Sequence, residues 1–370
     1  MLRLADLDPA DRIGQLFWVG FEGTAFSPAV ASLIRRVRPG GVILFARNIE
    51  SAKQTRALTD ALFRVLPIPL FLALDQEGGR VSRLATIVGP TPSPLALASR
   101  PRAPDAVERH AAATCLALRS LGFNVNLAPV LDLSGAGARN GIGDRAFGED
   151  PATVTDLAGR FARVHLRSGV IPVGKHFPGL GGARVDSHLD LPVIQRSRET
   201  LERQDLLPYR RLRRVLPIVM VGHGYYPAIQ GKRPQPASMS HLVVDLLLRR
   251  RMAFRGVVLT DDLLMGAIDS RLEGGSRALE AIVAGNDGLI FCQDESMILA
   301  AQEAIRQALE RGEIEAKRLR ASLRRILALK RQFLVRRRGR FSSGSLARAR
   351  LLFESLAPAE AAGFDPTARP

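Results

Sequence analysis

Two short patterns in the sequence carry groups able to do nucleophilic and acid-base work. The first is the pair Asp261-Asp262 at the end of the run Val257-Val258-Leu259-Thr260. Alternate residues of an extended strand share a face, so Val257, Leu259 and Asp261 point the same way, and Asp261 lies on the side of its strand's core residues. Asp262 opens the following loop, where a carboxylate ordinarily accepts hydrogen bonds from nearby amides. The second pattern is Asp186-Ser187-His188. A carboxylate two residues from an imidazole can bond one ring nitrogen, fix the tautomer and raise the imidazole pKa, leaving the other nitrogen to donate a proton near neutral pH. On its own such a triplet is more often a local polar turn. Together, a carboxylate that can attack carbon and an acid that can protonate a leaving oxygen are what cleavage of a glycosidic bond requires.

These groups act together only if buried elements aim them at one place. Eight short apolar and β-branched runs recur along the chain: Leu16 to Phe21, Gly41 to Phe45, Leu70 to Asp75, Asn124 to Asp132, Ile171 to Phe177, Pro217 to His223, Gly256 to Asp262 and Gly288 to Cys292. Segments with apolar residues at helical spacing lie between them, among them Ser51 to Phe63, Ala106 to Leu121, Pro151 to Ser168, Ser240 to Phe254 and Gly274 to Ala284. Strands alternating with helices build a parallel sheet, and eight such units predict an α/β fold, a TIM-type (β/α)8 barrel in a single domain. A doubly wound open sheet is the competing arrangement, but no glycine-rich phosphate fingerprint follows any run.

A barrel places its active site at the C-terminal ends of its strands. Polar residues collect there: Asp75 ends the third run, Asp132 the fourth, Lys175 and His176 the fifth, His223 the sixth, and Asp261 and Asp262 the seventh. One such residue would be read as a helix cap or an internal ion pair. Five strand ends of this kind indicate a pocket. The longest irregular connection of the barrel, between Phe177 and Thr200, is glycine-rich and carries Asp186 and His188, and loops of this length in compact domains are usually functional.

The 370 residues, 46% of them hydrophobic, supply a large core. The domain is expected to cover residues 1–335, and residues 336–370 read as a basic, then Ala/Pro-rich tail with a short helix near Ser345 to Ser355. The formal charge of +17 is spread over helical segments such as Arg35, Arg36, Arg210, Arg211 and Arg249 to Arg251, with the densest cluster at Arg336 to Arg340. Without aromatic interleaving these read as solvated helix faces, and no nucleic-acid partner is expected, although an acidic ligand is compatible with the charge. The two cysteines, Cys115 and Cys292, exclude a disulfide framework. No run reaches the roughly 18 apolar residues of a membrane span, and the N-terminus carries acidic residues in place of an apolar leader. A cytoplasmic monomer is the expectation. No ligand spacing such as His-x-His is present and Lys175 adjoins His176, so neither a metal nor another cofactor is expected.

Seven segments carry compact motifs: GVILFARNIES (41–51), LDQEGGRVSRL (74–84), NLAPVLDL (126–133), GDRAFGEDP (143–151), GKHFPGLGGARVDSHLDLP (174–192), PASMS (236–240) and GVVLTDDLLMGAI (256–268). In this order they resemble the motifs of glycoside hydrolase family three, in particular its single-domain bacterial β-N-acetylhexosaminidases of peptidoglycan recycling, over about residues 10 to 330. The resemblance implies Asp261 as the nucleophile of a covalent glycosyl-enzyme and His188, paired with Asp186, as the acid/base. It implies substrate contacts from Asp75, Arg145, Lys175 and His176, with Arg83 on the same rim and Asp132 and His223 near the pocket. An amino sugar or muropeptide would be the substrate. The chain departs from the family at Leu180, where the Lys-His-Phe-Pro-Gly-His-Gly pattern has its second histidine.

Overall fold

The computed structural model describes residues 3–138, 140–187, 189–268, 272–334 and 339–356. Each of the eight apolar runs contains a strand: β1 (Phe17–Val19), β2 (Gly41–Ile43), β3 (Phe71–Leu74), β4 (Val125–Asn126), β5 (Ile171–Phe177), β6 (Ile218–Val221), β7 (Val257–Asp262) and β8 (Gly288–Phe291). They pair in parallel and in chain order, and β8 closes on β1 through Phe17↔Leu289 and Val19↔Phe291, giving the (β/α)8 barrel. Every residue of β1, β2, β3, β5, β6 and β8 is buried, as expected of strands with side chains inside the barrel on one face and helices on the other.

Helices fall where the periodicity places them: Ala52–Arg64, Ala103–Ser120, Pro151–Arg167 and Gly274–Ala284. Their starts have local causes. Ser51 Oγ accepts from Gln54 N at 3.2 Å, and Asp150 accepts from Thr153 N at 2.8 Å with Pro151 in the first turn, where its missing N–H costs nothing. Residues Leu242–Arg251 wind as a π-helix within the expected helical stretch.

The run Asn124 to Asp132 yields only a two-residue strand and an isolated bridge, Val130↔Lys175. Pro129 interrupts it, because proline has no N–H to give the ladder. Its carbonyl is still used, accepting from Lys175 N at 3.2 Å.

The N-terminal end of the barrel is closed by a tight core. Trp18 stacks on Phe71 with ring centroids 5.0 Å apart, and a Cβ at Gly41 or Gly288 would come within 2.7 Å of Trp18 or 2.3 Å of Leu259, so both strands begin with glycine. Beside them the fully buried Lys330 donates to Gln15 Oε1 at 2.6 Å and to the Pro69 carbonyl at 2.8 Å. After the last barrel helix, Ala316–Phe333, the helix Ser343–Glu354 lies along Ala103–Ser120 and buries Leu346, Ala349 and Phe353. Among the described residues no helix is long and apolar enough to cross a membrane.

Candidate active site

The C-terminal mouth of the barrel gathers a compact set of charges. Lys175, buried on β5, donates to Asp75 Oδ1 at 2.6 Å and lies 2.6 Å from Glu77 Oε1. Asp75 directly follows β3, and Glu77 sits in a two-stranded hairpin, Gln76–Gly78 with Val81–Ser82. Arg145, in the turn Gly143–Arg145, grips Glu77 with two parallel bonds, Nε to Oε2 at 2.8 Å and Nη2 to Oε1 at 2.9 Å. Burial alone would push the Glu77 carboxyl up. The charges and hydrogen bonds of Arg145 and Lys175 outweigh it and hold the group well below its ordinary range. Burial likewise opposes the charge of Lys175, and Asp75 and Glu77 more than restore it. Arg83 reaches the same spot from the hairpin, 3.9 Å from Asp75 Oδ2, with its guanidinium 5.9 Å from the Phe45 ring centre.

A second group is organised by Asp132, which is fully buried. It accepts from the His176 amide at 3.2 Å, from His176 Nδ1 at 2.7 Å and from the Leu180 amide at 2.7 Å. Because an ionised carboxylate can only accept, it places the proton on Nδ1 of His176. The departure at Leu180 is absorbed by packing: the side chain is buried and would lie 3.3 Å from a Cβ at Gly222.

The two aspartates of β7 divide their work. Asp262 Oδ1 accepts from Leu264 N at 3.1 Å and Cys292 N at 3.2 Å, and burial raises its carboxyl. That is the loop-organising part a carboxylate opening a loop is suited to. Asp261 Oδ1 accepts from Asp262 N at 2.9 Å. His223, at the end of β6, bonds Ser238 Oγ at 2.7 Å and the Asp262 carbonyl at 2.9 Å, so its ring ties two strand ends together.

The loop after β5 comes back over this mouth. The Asp186 carboxylate lies against Gly141, where a Cβ would be 2.5 Å from Oδ2, and Gly141 has φ +75°, a backbone region that favours glycine. Ser187 O accepts from Ala267 N at 3.1 Å, joining this loop to the one after β7. His188 lies outside the described residues, as does Arg139.

The structure thus brings Asp75, Arg83, Arg145 and Lys175 into one connected cluster at the barrel mouth that holds Asp261, and His176 into a second group around Asp132, with Asp186 lying against the turn at Gly141. Sequence reasoning passed over Glu77, which bridges Lys175 and Arg145. Its signal was present, since Asp75 and Glu77 alternate around Gln76 immediately after a strand. Chemically, cations held by carboxylates offer pre-oriented donors and acceptors to ligand hydroxyls, and a carboxylate at the same mouth can stabilise or attack a carbon bearing positive charge. Among the described residues no group of three His, Cys, Asp or Glu side chains is arranged to hold a metal ion.

Residues 10–329 match the N-terminal domain of glycosyl hydrolase family 3. A β-hexosaminidase of Alkalilimnicola ehrlichii is 40% identical over 288 residues, covering 76% of this chain and 82% of that protein. A family 3 glycosyl hydrolase of Mycobacterium smegmatis superposes with a TM-score of 0.81 at 37% identity, over 89% of this chain and 98% of the other. A fungal multi-domain family 3 β-N-acetylglucosaminidase superposes with a TM-score of 0.88 at 33% identity over 94% of this chain, which spans 43% of that larger protein. The chain therefore belongs to glycosyl hydrolase family 3 and groups within it with the β-hexosaminidases.

Proposed function

We propose that this family 3 hydrolase removes terminal, non-reducing, β-linked N-acetylglucosamine with retention of configuration, through Asp261 as nucleophile and His188 with Asp186 as acid/base. The observation that carries the reading is the Lys175–Asp75–Glu77–Arg145 cluster at the mouth that holds Asp261. A sugar ring offers several hydroxyls, and charge-assisted bonds from groups already fixed by partners orient it without loss of side-chain freedom.

In the first step a carboxylate oxygen of Asp261 attacks the anomeric carbon while the bond to the aglycone oxygen breaks and that oxygen takes a proton from the His188 imidazolium. In the second, the neutral imidazole takes a proton from water as the water oxygen attacks the same carbon and the Asp261 ester bond breaks. Asp186 fixes the tautomer and supports the charged ring. A neutral imidazole also repels the nucleophile less than a second carboxylate would. Carrying the acid on a loop lets its position differ between the two steps.

The substrate in this reading is a cell-wall muropeptide fragment bearing the amino sugar, processed in the cytoplasm during peptidoglycan recycling by a monomer whose residues 1–335 are the catalytic domain. The relatives named β-hexosaminidase support the choice of sugar.

The test has two parts. Rates on nitrophenyl β-glycosides should favour N-acetylglucosamine over glucose; preference for glucose would defeat the substrate assignment. A mechanism-based fluoro sugar should label Asp261, and Asp261→Ala should lose nearly all turnover while still binding the sugar. A label on another residue, or an unaffected rate, overturns the nucleophile assignment.

A further inference from the structure

At the opposite end of the barrel, where the chain enters β7 and β8, lies a cleft of about 460 Å³ lined by Arg249, Arg250, Arg255, Arg318, Arg325 and Asp245. Topology fixes its place. Arg255 and Gly256 precede β7, Gly285 precedes β8, and the helix Ala316–Phe333 contributes Arg318 and Arg325. The cleft is therefore remote from the sugar pocket.

Behind the lining arginines sits Asp287, fully buried. Three guanidinium groups converge on this one carboxylate: Arg249 pairs with Oδ2, Arg325 Nη1 donates to Oδ1 at 2.8 Å, and Arg318 Nη1 lies 3.7 Å from Oδ1. Ser322 Oγ and Val258 N also donate to it, at 2.6 and 3.0 Å. Asp245 is taken by Arg250 at 2.7 Å, and the exposed Arg255 makes no ion pair among the described residues. Four guanidinium groups thus share two carboxylates, and Arg255 adds a fifth cation to the cleft. Burial, with added repulsion from Arg325 and Arg318, lowers Arg249 to about 10 against the pull of Asp287, and burial lowers Arg318 as well. Arg249, which sequence alone places on a solvated helix face, is buried here.

A surplus of partly buried cations destabilises a fold unless a counterion joins them. Guanidinium forks match the oxygens of phosphate in pairs, and the cleft's volume is that of a small-molecule site. It is a concave pocket, whereas a nucleic-acid strand needs an extended basic track with aromatic platforms.

We infer that this cleft binds a small multivalent anion of the phosphate or diphosphate class. Calorimetry on the full chain, with inorganic phosphate and inorganic diphosphate titrated at constant ionic strength in chloride, reads the site directly. Diphosphate should bind one to one and more tightly than phosphate. Arg255→Ser and Arg250→Ser should each weaken it about tenfold, the loss of one charge-assisted contact. Arg311→Ser, on an exposed residue paired with Glu313, should bind like the parent. Thermal unfolding without ligand and turnover of the aryl N-acetylglucosaminide should be unchanged in all three variants. Absence of saturable heat overturns the inference, as does equal weakening by Arg311→Ser. Binding of duplex DNA that depends on Arg255, with no binding of diphosphate, overturns it in favour of a nucleic-acid surface.

Discussion

Glu77→Gln is the substitution whose consequences the structure specifies most fully. It keeps the shape of the side chain and removes the charge that Arg145 grips through two bonds and Lys175 approaches at 2.6 Å, in a residue that is 2% exposed. Breaking a buried ion pair from one side costs about 3–5 kcal/mol, because the remaining charge stays buried; here two cations remain, and the amide oxygen keeps part of one contact, so about 3 kcal/mol is expected. At roughly 2 °C per kcal/mol for a domain of this size, Tm should fall by about 6 °C at neutral pH. The value of kcat/KM should fall at least about tenfold, since Lys175 and Arg145 lose the group that orients them. The effect also has a pH signature. The Glu77 carboxyl is held below its unfolded value of 4.5, so its contribution is fully present above that pH and is lost as pH falls toward the folded value. Glutamine takes up no proton there, so the stability gap between parent and variant should narrow below about pH 4.5. Thermal unfolding by circular dichroism across pH, with kinetics alongside, measures both. A Tm within about 1 °C of the parent at neutral pH, or a gap that stays constant on acidification, refutes the reasoning.

Three further substitutions probe other parts of the molecule. His188→Ala should slow hydrolysis strongly for poor leaving groups and much less for dinitrophenyl glycosides; an equal loss across leaving groups means His188 is not the acid. Gly141→Ala drives a methyl into the Asp186 carboxylate and forces an alanine to φ +75°, so activity should fall at least about tenfold for a stability loss of only about 1–2 kcal/mol, and full activity would separate Asp186 from catalysis. Phe353→Ala empties a fully buried site whose ring lies 5.3 Å from that of His110, and urea unfolding should show a loss of about 3–5 kcal/mol; a loss below about 1 kcal/mol would make the C-terminal helix an ornament of the barrel.

The barrel was readable because strand and helix write different periods, and because burial on both faces makes each strand a short apolar run. Strand length was less readable: Asn124 to Asp132 looks continuous until one asks what Pro129 can donate. The strand-end residues of the site were visible for a topological reason, since the fold carries all of them to one mouth. For Glu77 the sequence held only its alternation with Asp75, because its role depends on Arg145, 68 positions later, and on Lys175 beyond that. Arg249 was misplaced for the same reason. Its helix alone marks it as solvated, and only Asp287, 38 positions away, explains why it is buried.

The bond between Ala267 N and Ser187 O has a kinetic meaning. It joins the chain next to His188 to the segment that leaves β7 after Asp261, so the proposed proton donor and proposed nucleophile share a mechanical linkage as well as a substrate. If the linkage persists through turnover, probes on the two loops should relax at one common rate when a substrate analogue is added, and two separate rates would show that the loops move independently.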